Sequence, residues 1–591
     1  MYIAHARRAR VTWTSLSRAT EGARYNACVG RSAKSTTATL ISFTDDIYCI
    51  GPRRIAAQLK RNGFQVNLVF LCPTDFWGQA RQRFRKAYDN SDLSEPLYRQ
   101  LLDLCKDSAV IGLSVWTHQA EQATLVTDRL RRELDALVVW GGIHPTSYPE
   151  DAVRAAGAIC MGEGDVSFLK LVEAIDGGRD YRDTPGFWFL DGGEIRRTPA
   201  EPLVENLDEL PFLDFEFESH WVNDGGTLQR MDMRLMKKYY GGKLWTMFSQ
   251  GCPYKCTFCS NDVLIDLDKG YRHFRKHSAG FYLAQLKYIL SKYPYLQNVV
   301  IDDDAFMFLP ANTIIEFAEQ YKRQFDIPFF VTGIIPVSVE ERKFQALIDA
   351  GMVKARIGVQ SGNARVMKEV FVRPRHNHKV VQASEIVHRN RARMAPIQFD
   401  LIVDNPWEHP EELKDTLRLA ASLQTPYTFA INALTLLPGT TIYRMGEEAG
   451  FTDKDERITL ASYVTYMPTA LNLTLAFYNI APAPAFWVRR VLAKDYGQRT
   501  VEMKQYPRTG ALIIGLGLIK KVIHGLLRKD VSAIPRPFDL LLGRLFVRAK
   551  GQIQGDLRVP PEFQNCRPEP RRMRAAQASL GRETPALHVL R

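Results

Sequence analysis

Residues 249–261 read Ser-Gln-Gly-Cys-Pro-Tyr-Lys-Cys-Thr-Phe-Cys-Ser-Asn. Cys252, Cys256 and Cys259 stand at C-x3-C-x2-C spacing on a loop that follows the apolar run Leu244–Phe248. Thiolates so spaced can all turn toward one centre, and a four-iron cluster is held by cysteine thiolates. The next cysteine is Cys566, so three protein ligands would leave one iron open. An open position is what separates a catalytic metal centre from a structural one. A structural zinc ion wants four closed ligands, and the nearest histidines, His273 and His277, lie 14 and 18 residues beyond Cys259. Zinc and plain buried thiols therefore rank behind the cluster.

Downstream of the loop, helical and β-rich patterns alternate to about residue 440: helix Ala279–Leu290, strand Gln297–Ile301, helix Ala311–Phe325, strand Phe329–Gly333, helix Ser338–Ala350 and strand Ala355–Val359. Helix Asn377–Asn390, strand Ile397–Val403, helix Pro410–Leu423 and strand Phe429–Leu436 continue the series. Repeated βα units predict a partial (β/α)6 barrel over 241–445, with its chemistry at the strand C-termini. Three strand ends carry polar or Gly-rich clusters: Asp302-Asp303-Asp304, Gln360-Ser361-Gly362, and Asp400 with Asp404, Pro406 and Glu408. Carboxylates left uncompensated inside a barrel are costly. At least one of the three aspartates is thus expected at the mouth, and another as a cap on the next helix.

Upstream, strands are expected at Thr36–Phe43, Gln65–Leu71, Ala109–Val115, Leu137–Trp140 and Ala158–Met161. Helical patterns fall between them at Arg53–Asn62, Leu97–Cys105 and Gln119–Leu134, and Val166–Ala174 follows. This alternation predicts a Rossmann-like, doubly wound parallel sheet over 36–180. Ligands of such sheets bind beyond the carboxyl ends of the strands, where the loops at 44–51, 114–118, 141–147 and 162–165 fall. Residues 181–240, rich in Pro, Gly and acidic residues with a short strand at Gly186–Leu190, read as a linker.

The cysteine spacing, with its Gly-Cys-Pro lead-in and Phe258, resembles the radical S-adenosylmethionine (SAM) superfamily. That resemblance implies a [4Fe-4S] cluster on Cys252, Cys256 and Cys259. It also implies SAM chelated at the open iron, reductive cleavage to a 5′-deoxyadenosyl radical, and an electron donor such as flavodoxin or ferredoxin. It places SAM near Asp303, Asp304, Gln360, Ser361 and Asp400, and Pro438-Gly439-Thr440 matches the family's closing turn. The upstream loops resemble the cobalamin-binding domain that precedes many such barrels. Asp46, Tyr48 and Gly51 stand at its Asp-x-His-x-x-Gly positions, Ser114 at its Ser-x-Leu and Gly141-Gly142 at its glycine pair. His144, Gly162 and Glu163 belong to runs that look typical of the radical SAM branch. The resemblance covers roughly residues 36–445 and implies cobalamin as a cofactor, most often for methyl transfer to an unactivated carbon or phosphorus. Some relatives instead perform ring closure or rearrangement, with the first domain as scaffold. One departure is chemical: Tyr48 replaces the axial histidine, and a phenol of pKa about 10 is a poor metal ligand.

Composition frames the rest. Apolar content of 46% and charged content of 24% are those of a globular protein. Nine cysteines are too scattered for a disulfide scaffold, and a thiolate cluster needs a reducing compartment, so a cytoplasmic setting is expected. The net charge of +13 sits on the ends: residues 1–34 carry seven basic side chains against Glu21, and from Arg489 onward 21 basic face 8 acidic. A partner drawn by that charge would meet the tails. RNA-modifying relatives carry a second cysteine trio in their first domain, whereas Cys49, Cys72, Cys105 and Cys160 lie far apart, which argues against nucleic acid. Residues 1–35 read as a basic, disordered extension, 446–559 as a helical cap and 560–591 as a disordered tail. Ala470–Ile480 and Thr509–Leu527 read as helices. The second admits two readings: a core helix of a cap over the barrel mouth, or an interfacial helix making peripheral membrane contact. The substrate is read as a small or lipid-like metabolite.

Overall fold

The computed structural model describes residues 36–44, 47–73, 92–451, 466–497, 499–528 and 557–568. Residues 1–35, Asp46 and 569–591 lie outside the described residues. The first sheet is built from β1 (Thr37–Ser42), β2 (Gln65–Phe70), β3 (Ser108–Ser114), β4 (Leu137–Gly141), β5 (Ala158–Cys160), β6 (Phe187–Asp191), β7 (Glu194–Arg197), β8 (His220–Asp224) and β9 (Thr227–Arg230). Its order is β7-β6-β5-β4-β3-β1-β2-β8-β9, parallel from β5 through β8 and antiparallel at both rims. Alternate residues of each inner strand enter different cores. Ala38, Leu40, Leu68, Val110 and Val139 join one, and Ile41, Val69, Ile111, Val138 and Trp140 the other. A parallel sheet covered on both faces needs that alternation of two apolar sides.

The rims come from the segment expected to be a linker. Asp191-Gly192-Gly193-Glu194 and Asp224-Gly225-Gly226-Thr227 are both tight hairpin turns, with all four glycines at φ between +56° and +92°. Positive φ at both central positions is the demand of the type I′ hairpin, and a glycine pair meets it. Residues 181–240 therefore add four strands to the first sheet.

The second sheet is wholly parallel and follows chain order: β10 (Lys243–Thr246), β13 (Asn298–Ile301), β14 (Phe329–Ile334), β15 (Met352–Gln360), β16 (Ile397–Val403) and β17 (Tyr427–Ala433). A separate ribbon pairs β11 (Ser249–Gln250) with β12 (Arg275–Lys276). This is the expected partial (β/α)6 barrel, open between β10 and β17. The free edge of β17 is stopped by one side chain: Asn479 Oδ1 accepts from the Phe429 N–H at 2.6 Å and its Nδ2 donates to the Phe429 carbonyl at 2.9 Å.

The C-terminal helices run along the barrel's flank. Helix Ala470–Phe477 packs on helix Pro410–Ser422 and β17. Asp404, just past β16, holds it by accepting from Asn472 Nδ2 at 2.7 Å and from the Met467 N–H at 2.6 Å. Helix Pro507–Arg528 touches this assembly through its first turn, where Gly510 abuts Pro468 and Leu473. Beyond it Ile513 still packs on the shared core, but Leu512, Ile514, Leu516, Leu518, Ile519 and Ile523 are exposed, so it is no core helix of a cap. Residues 557–568 lie as a strap across the junction: the Phe212 N–H donates to the Cys566 carbonyl at 2.6 Å, and Phe563 meets Phe281 edge-on.

The two sheets are welded by one apolar core. Leu40, Leu68 and Phe70 of the first share it with Phe212, Phe215 and Tyr240 of the connecting segment and Leu244 and Tyr288 of the barrel. The loops at the C-terminal edge of the first sheet thereby face the cysteine loop and the turn after β17. A Cβ at Gly439 would lie 2.0 Å from the Ser147 carbonyl.

Candidate active site

The cysteine loop is set by backbone contacts at its root. β10 delivers the chain to Phe248, and the β11–β12 ribbon folds the 270s segment back over it. Gly251 has φ +106°, and a Cβ there would lie 2.2 Å from the His273 carbonyl, so only glycine admits this closure. The Cys252 N–H then donates to the Tyr271 carbonyl at 3.0 Å. Asp303 holds the same root from the end of β13. Its Oδ1 accepts from the Phe248 N–H at 2.7 Å, and its Oδ2 from the Ser249 N–H at 2.8 Å and the Ser249 hydroxyl at 2.6 Å. Asp304 accepts from the Gly251 N–H at 3.1 Å. Full burial pushes the Asp303 carboxyl up to about 7 against the pull of those donors. The third aspartate, Asp302, bonds the Thr332 hydroxyl. Helix Ala311–Gln324 starts after Pro310 with no side-chain cap, so the expected capping aspartate is absent. Asp303 and Asp304 instead fix the loop that carries the thiols.

Cys252 and Cys256 are buried, and Cys259 is half-buried at the N-cap of helix Ser260–Leu267. Burial raises all three thiols, Cys252 to about 11 and Cys259 to about 12. Backbone N–H groups of Tyr254 and Asn261 oppose that rise at Cys252 and Cys259. Arg373 opposes it at Cys256, with Nη1 4.0 Å from the Cys256 sulfur and Nη2 donating to the Gly358 carbonyl at 2.7 Å. Arg373 is itself buried, and its Nε has no hydrogen-bond partner. The segment bearing it is pinned to the loop, since Thr257 Oγ1 donates to the Val370 carbonyl at 2.6 Å and Phe258 meets Phe371 edge-on. Among the described residues no three His, Cys, Asp or Glu side chains gather around a single ion. A cluster makes a different demand, each thiolate taking its own iron. Three separate thiols with one buried cation fit an anionic cluster of that kind. Nothing in the sequence pattern singles out Arg373, which lies in a loop with no repeat or motif around it.

Across the junction stand the loops of the first sheet. Tyr48, at the position of the family's histidine, is stacked on Trp245 of β10 at 4.9 Å and meets Tyr240 edge-on at 5.0 Å. Its ring is spent on the interface, which fits a corrinoid with no ligand from this position. Gly142, at φ +97°, lies where a Cβ would press on Val115, 3.1 Å from its carbonyl oxygen. Ser114 pairs with Gly141 in the β3–β4 register. His144 is buried beside Trp140 and Tyr148, its Nδ1 has no partner, and burial lowers its pKa to about 4. A buried, neutral and unpaired nitrogen beside the glycine pair suits a polar ligand group there. Gly51 has open space about it, and Gly162 packs on Leu267 and Tyr271. Glu163 is engaged across the junction, its oxygens 2.6 and 2.9 Å from the Arg275 guanidinium. Arg54 and Asp165, 2.9 Å apart, extend the charge network.

The barrel interior is polar. On β15 and β16 the residues Ala355, Ile357, Phe399 and Leu401 are buried under helices, while Arg356, Gly358, Gln398 and Asp400 alternate with them toward the lumen. Asp400 accepts from Arg356 Nε at 2.6 Å and from Gln398 Nε2 at 3.1 Å. Gln360 ends β15 at φ +69°. Ser361 is buried, within 3.4 Å of Glu408 Oε1 and Thr416 Oγ1, and ties its loop to helix Pro410–Ser422. The five residues expected around SAM thus divide: Asp303 and Asp304 hold the loop, Ser361 holds a helix, and Gln360 and Asp400 lie along the barrel interior.

Residues 36–172 match the family described as B12 binding domain, and residues 246–429 the Radical SAM superfamily. An uncharacterized methyltransferase of Pyrococcus horikoshii is 24% identical over 348 residues, 57% of this chain and 69% of that one. An anaerobic magnesium-protoporphyrin IX monomethyl ester cyclase of Rubrivivax gelatinosus is 23% identical over 365 residues, 58% of this chain and 60% of that one. Among solved structures, the radical SAM methyltransferase TsrM from Kitasatospora setae, with cobalamin and a [4Fe-4S] cluster bound, aligns at a TM-score of 0.54 and 17% identity over 71% of this chain and 79% of its own. The cobalamin-dependent SAM radical enzyme OxsB, with aqua-cobalamin and SAM bound, aligns at 0.56 and 17% over 93% and 81%. At these identities the solved structures speak for a shared fold.

Proposed function

From a chain that belongs to the radical SAM superfamily and carries a B12 binding domain ahead of its barrel, we infer an enzyme that moves a methyl group to an unactivated centre of a small molecule. The observation that carries the reading is the placing of the cysteine trio, two of them buried, at the junction where the C-terminal edges of the two sheets meet, bridged by Glu163 and Arg275. When bound, the cluster and SAM supply a 5′-deoxyadenosyl radical and the corrinoid supplies the methyl group. In that reading Cys252, Cys256 and Cys259 hold the cluster, Arg373 offsets its negative charge, and Asp303 and Asp304 keep the loop in register. The loops around Gly142, His144 and Glu163 take the corrinoid. A flavodoxin- or ferredoxin-like donor delivers the electron. The polar interior at Arg356, Gln398 and Asp400 favours a small polar substrate over a lipid-like one. The methyltransferase among the relatives supports the reaction class.

The test is anaerobic reconstitution with iron, sulfide and hydroxocobalamin. Expected are four irons per chain, a retained corrinoid spectrum after desalting, and 5′-deoxyadenosine on reduction with SAM. Protein with neither iron nor 5′-deoxyadenosine would overturn the reading. A second reading, radical ring closure, is favoured by the cyclases among the relatives. Deuterium-labelled methyl-SAM separates the two, because ring closure leaves the label out of the product.

A further inference from the structure

Helix Pro507–Arg528 stands apart from the other long helices. Ala120–Glu133 and Ala311–Gln324 each bury a stripe against their sheets. Beyond its first turn Pro507–Arg528 packs Ile513 on the core and leaves six described apolar side chains exposed. Leu512, Leu516, Ile519 and Ile523 are 62, 43, 58 and 50% exposed and follow i, i+4, i+7, i+11 spacing, one stripe of a 3.6-residue helix. Ile514 and Leu518, 51 and 45% exposed, add a second face, and no atom lies within 4 Å of a Cβ built at Gly515 or Gly517. Helix Ala485–Ala493 leans on the same support, Trp487 Nε1 donating to Thr474 Oγ1 at 3.2 Å, and it presents Phe486 and Trp487 at 66 and 52% exposure. Apolar surface gathered this way marks an interaction site.

The charge pattern says which partner. From Met503 to Arg528 the chain carries Lys504, Arg508, Lys520, Lys521 and Arg528 and no acidic residue, and Arg489 and Arg490 stand two and three residues after Trp487. A second copy laid against this helix would set basic residues on basic residues. An anionic lipid surface meets both features, since headgroups take the cations while the apolar side chains enter the acyl boundary. Trp and Phe beside such a helix suit the same depth. No described helix is long and apolar enough to cross a membrane, so the contact is in the plane of the interface. We propose that helices Ala485–Ala493 and Pro507–Arg528 dock the enzyme on an anionic membrane surface. The proposal stands on this surface alone and is independent of the reaction assigned above.

The full chain is to be sedimented with vesicles of phosphatidylcholine alone and of phosphatidylcholine mixed with phosphatidylglycerol. Binding is expected to the mixed vesicles and to weaken with salt. The pair L516E/I519E should reduce binding by roughly tenfold or more, and K520Q/K521Q should remove most of the preference for phosphatidylglycerol, each with unchanged circular dichroism. Wild-type protein that stays in the supernatant with both vesicles would overturn the proposal. So would a concentration-dependent dimer that L516E/I519E dissolves, since that assigns the face to a second copy.

Discussion

Asp303 and Ser249 are joined twice, the carboxylate oxygen Oδ2 accepting from the backbone N–H at 2.8 Å and from the hydroxyl at 2.6 Å. With the Phe248 N–H on Oδ1, both oxygens of this buried carboxylate are engaged by Phe248 and Ser249. An amide cannot substitute, because its NH2 would face an N–H donor. Asp303→Asn is expected to lose about 2–4 kcal/mol of stability, the scale of one or two charge-assisted bonds. It should also take up less iron on reconstitution. Ser249→Ala removes only the hydroxyl bond and should cost about 1 kcal/mol. Urea titration and iron analysis of both variants check the ordering.

Arg373 is a buried cation beside the thiols, its Nη1 4.0 Å from the Cys256 sulfur. An opposite charge at this distance lowers a thiol's pKa. Arg373→Gln should therefore raise the midpoint for alkylation of Cys256 in the metal-free protein by roughly one pH unit, read by mass spectrometry after iodoacetamide. An unmoved midpoint would remove Arg373 from the account of the site.

The Glu163–Arg275 pair crosses the junction with the Arg275 side chain 2% exposed and that of Glu163 20% exposed. Removing one partner leaves a buried charge, a loss of about 3–5 kcal/mol for a fully buried pair and less here because Glu163 keeps some solvent. Glu163→Gln should destabilise the chain by about 2–3 kcal/mol and loosen corrinoid retention. The double variant E163Q/R275Q should recover part of the stability. A double-mutant cycle in urea gives the coupling directly.

His144 sets a pH dependence. Burial lowers its pKa from 6.5 to about 4, so the unfolded chain binds the extra proton between those values and the folded one does not. Its contribution to stability is complete above about pH 6.5 and falls away as pH drops toward 4, by roughly 3 kcal/mol in total. His144→Gln should lose correspondingly less stability over that window. His118, also lowered to about 4 by burial, leaves a residual slope in the variant. Denaturation curves at a series of pH values measure the difference.

Periodicity and spacing were enough to see the two parallel sheets and the cysteine trio, because both are local in sequence. Strands at Gln65–Phe70 and Ile397–Val403 announce themselves by apolar runs closed by turns. The four rim strands were harder to see: each is only four or five residues long and half exposed, so its apolar pattern is too brief to stand out. Their readable signal was the Gly-Gly turn, twice after an aspartate. The work of Asp303, Asp304 and Glu163 was out of reach for another reason. A carboxylate's partner depends on which backbone N–H groups or cations folding brings to it, and those of Asp303 and Glu163 lie 54 and 112 residues away. Tyr48 was legible as a poor metal ligand, but its stacking on Trp245 needed the fold. The C-terminal helix was read correctly as a helix and left open between two roles, and its exposure decides against the buried one.

The strap ties the joint across a long span of chain. Phe212 and Cys566 meet across some 350 residues, so closing their contact on its own would carry a large loop-closure entropy, which is met once the two sheets already share their core. The strap thus depends on the weld beneath it, and not the reverse.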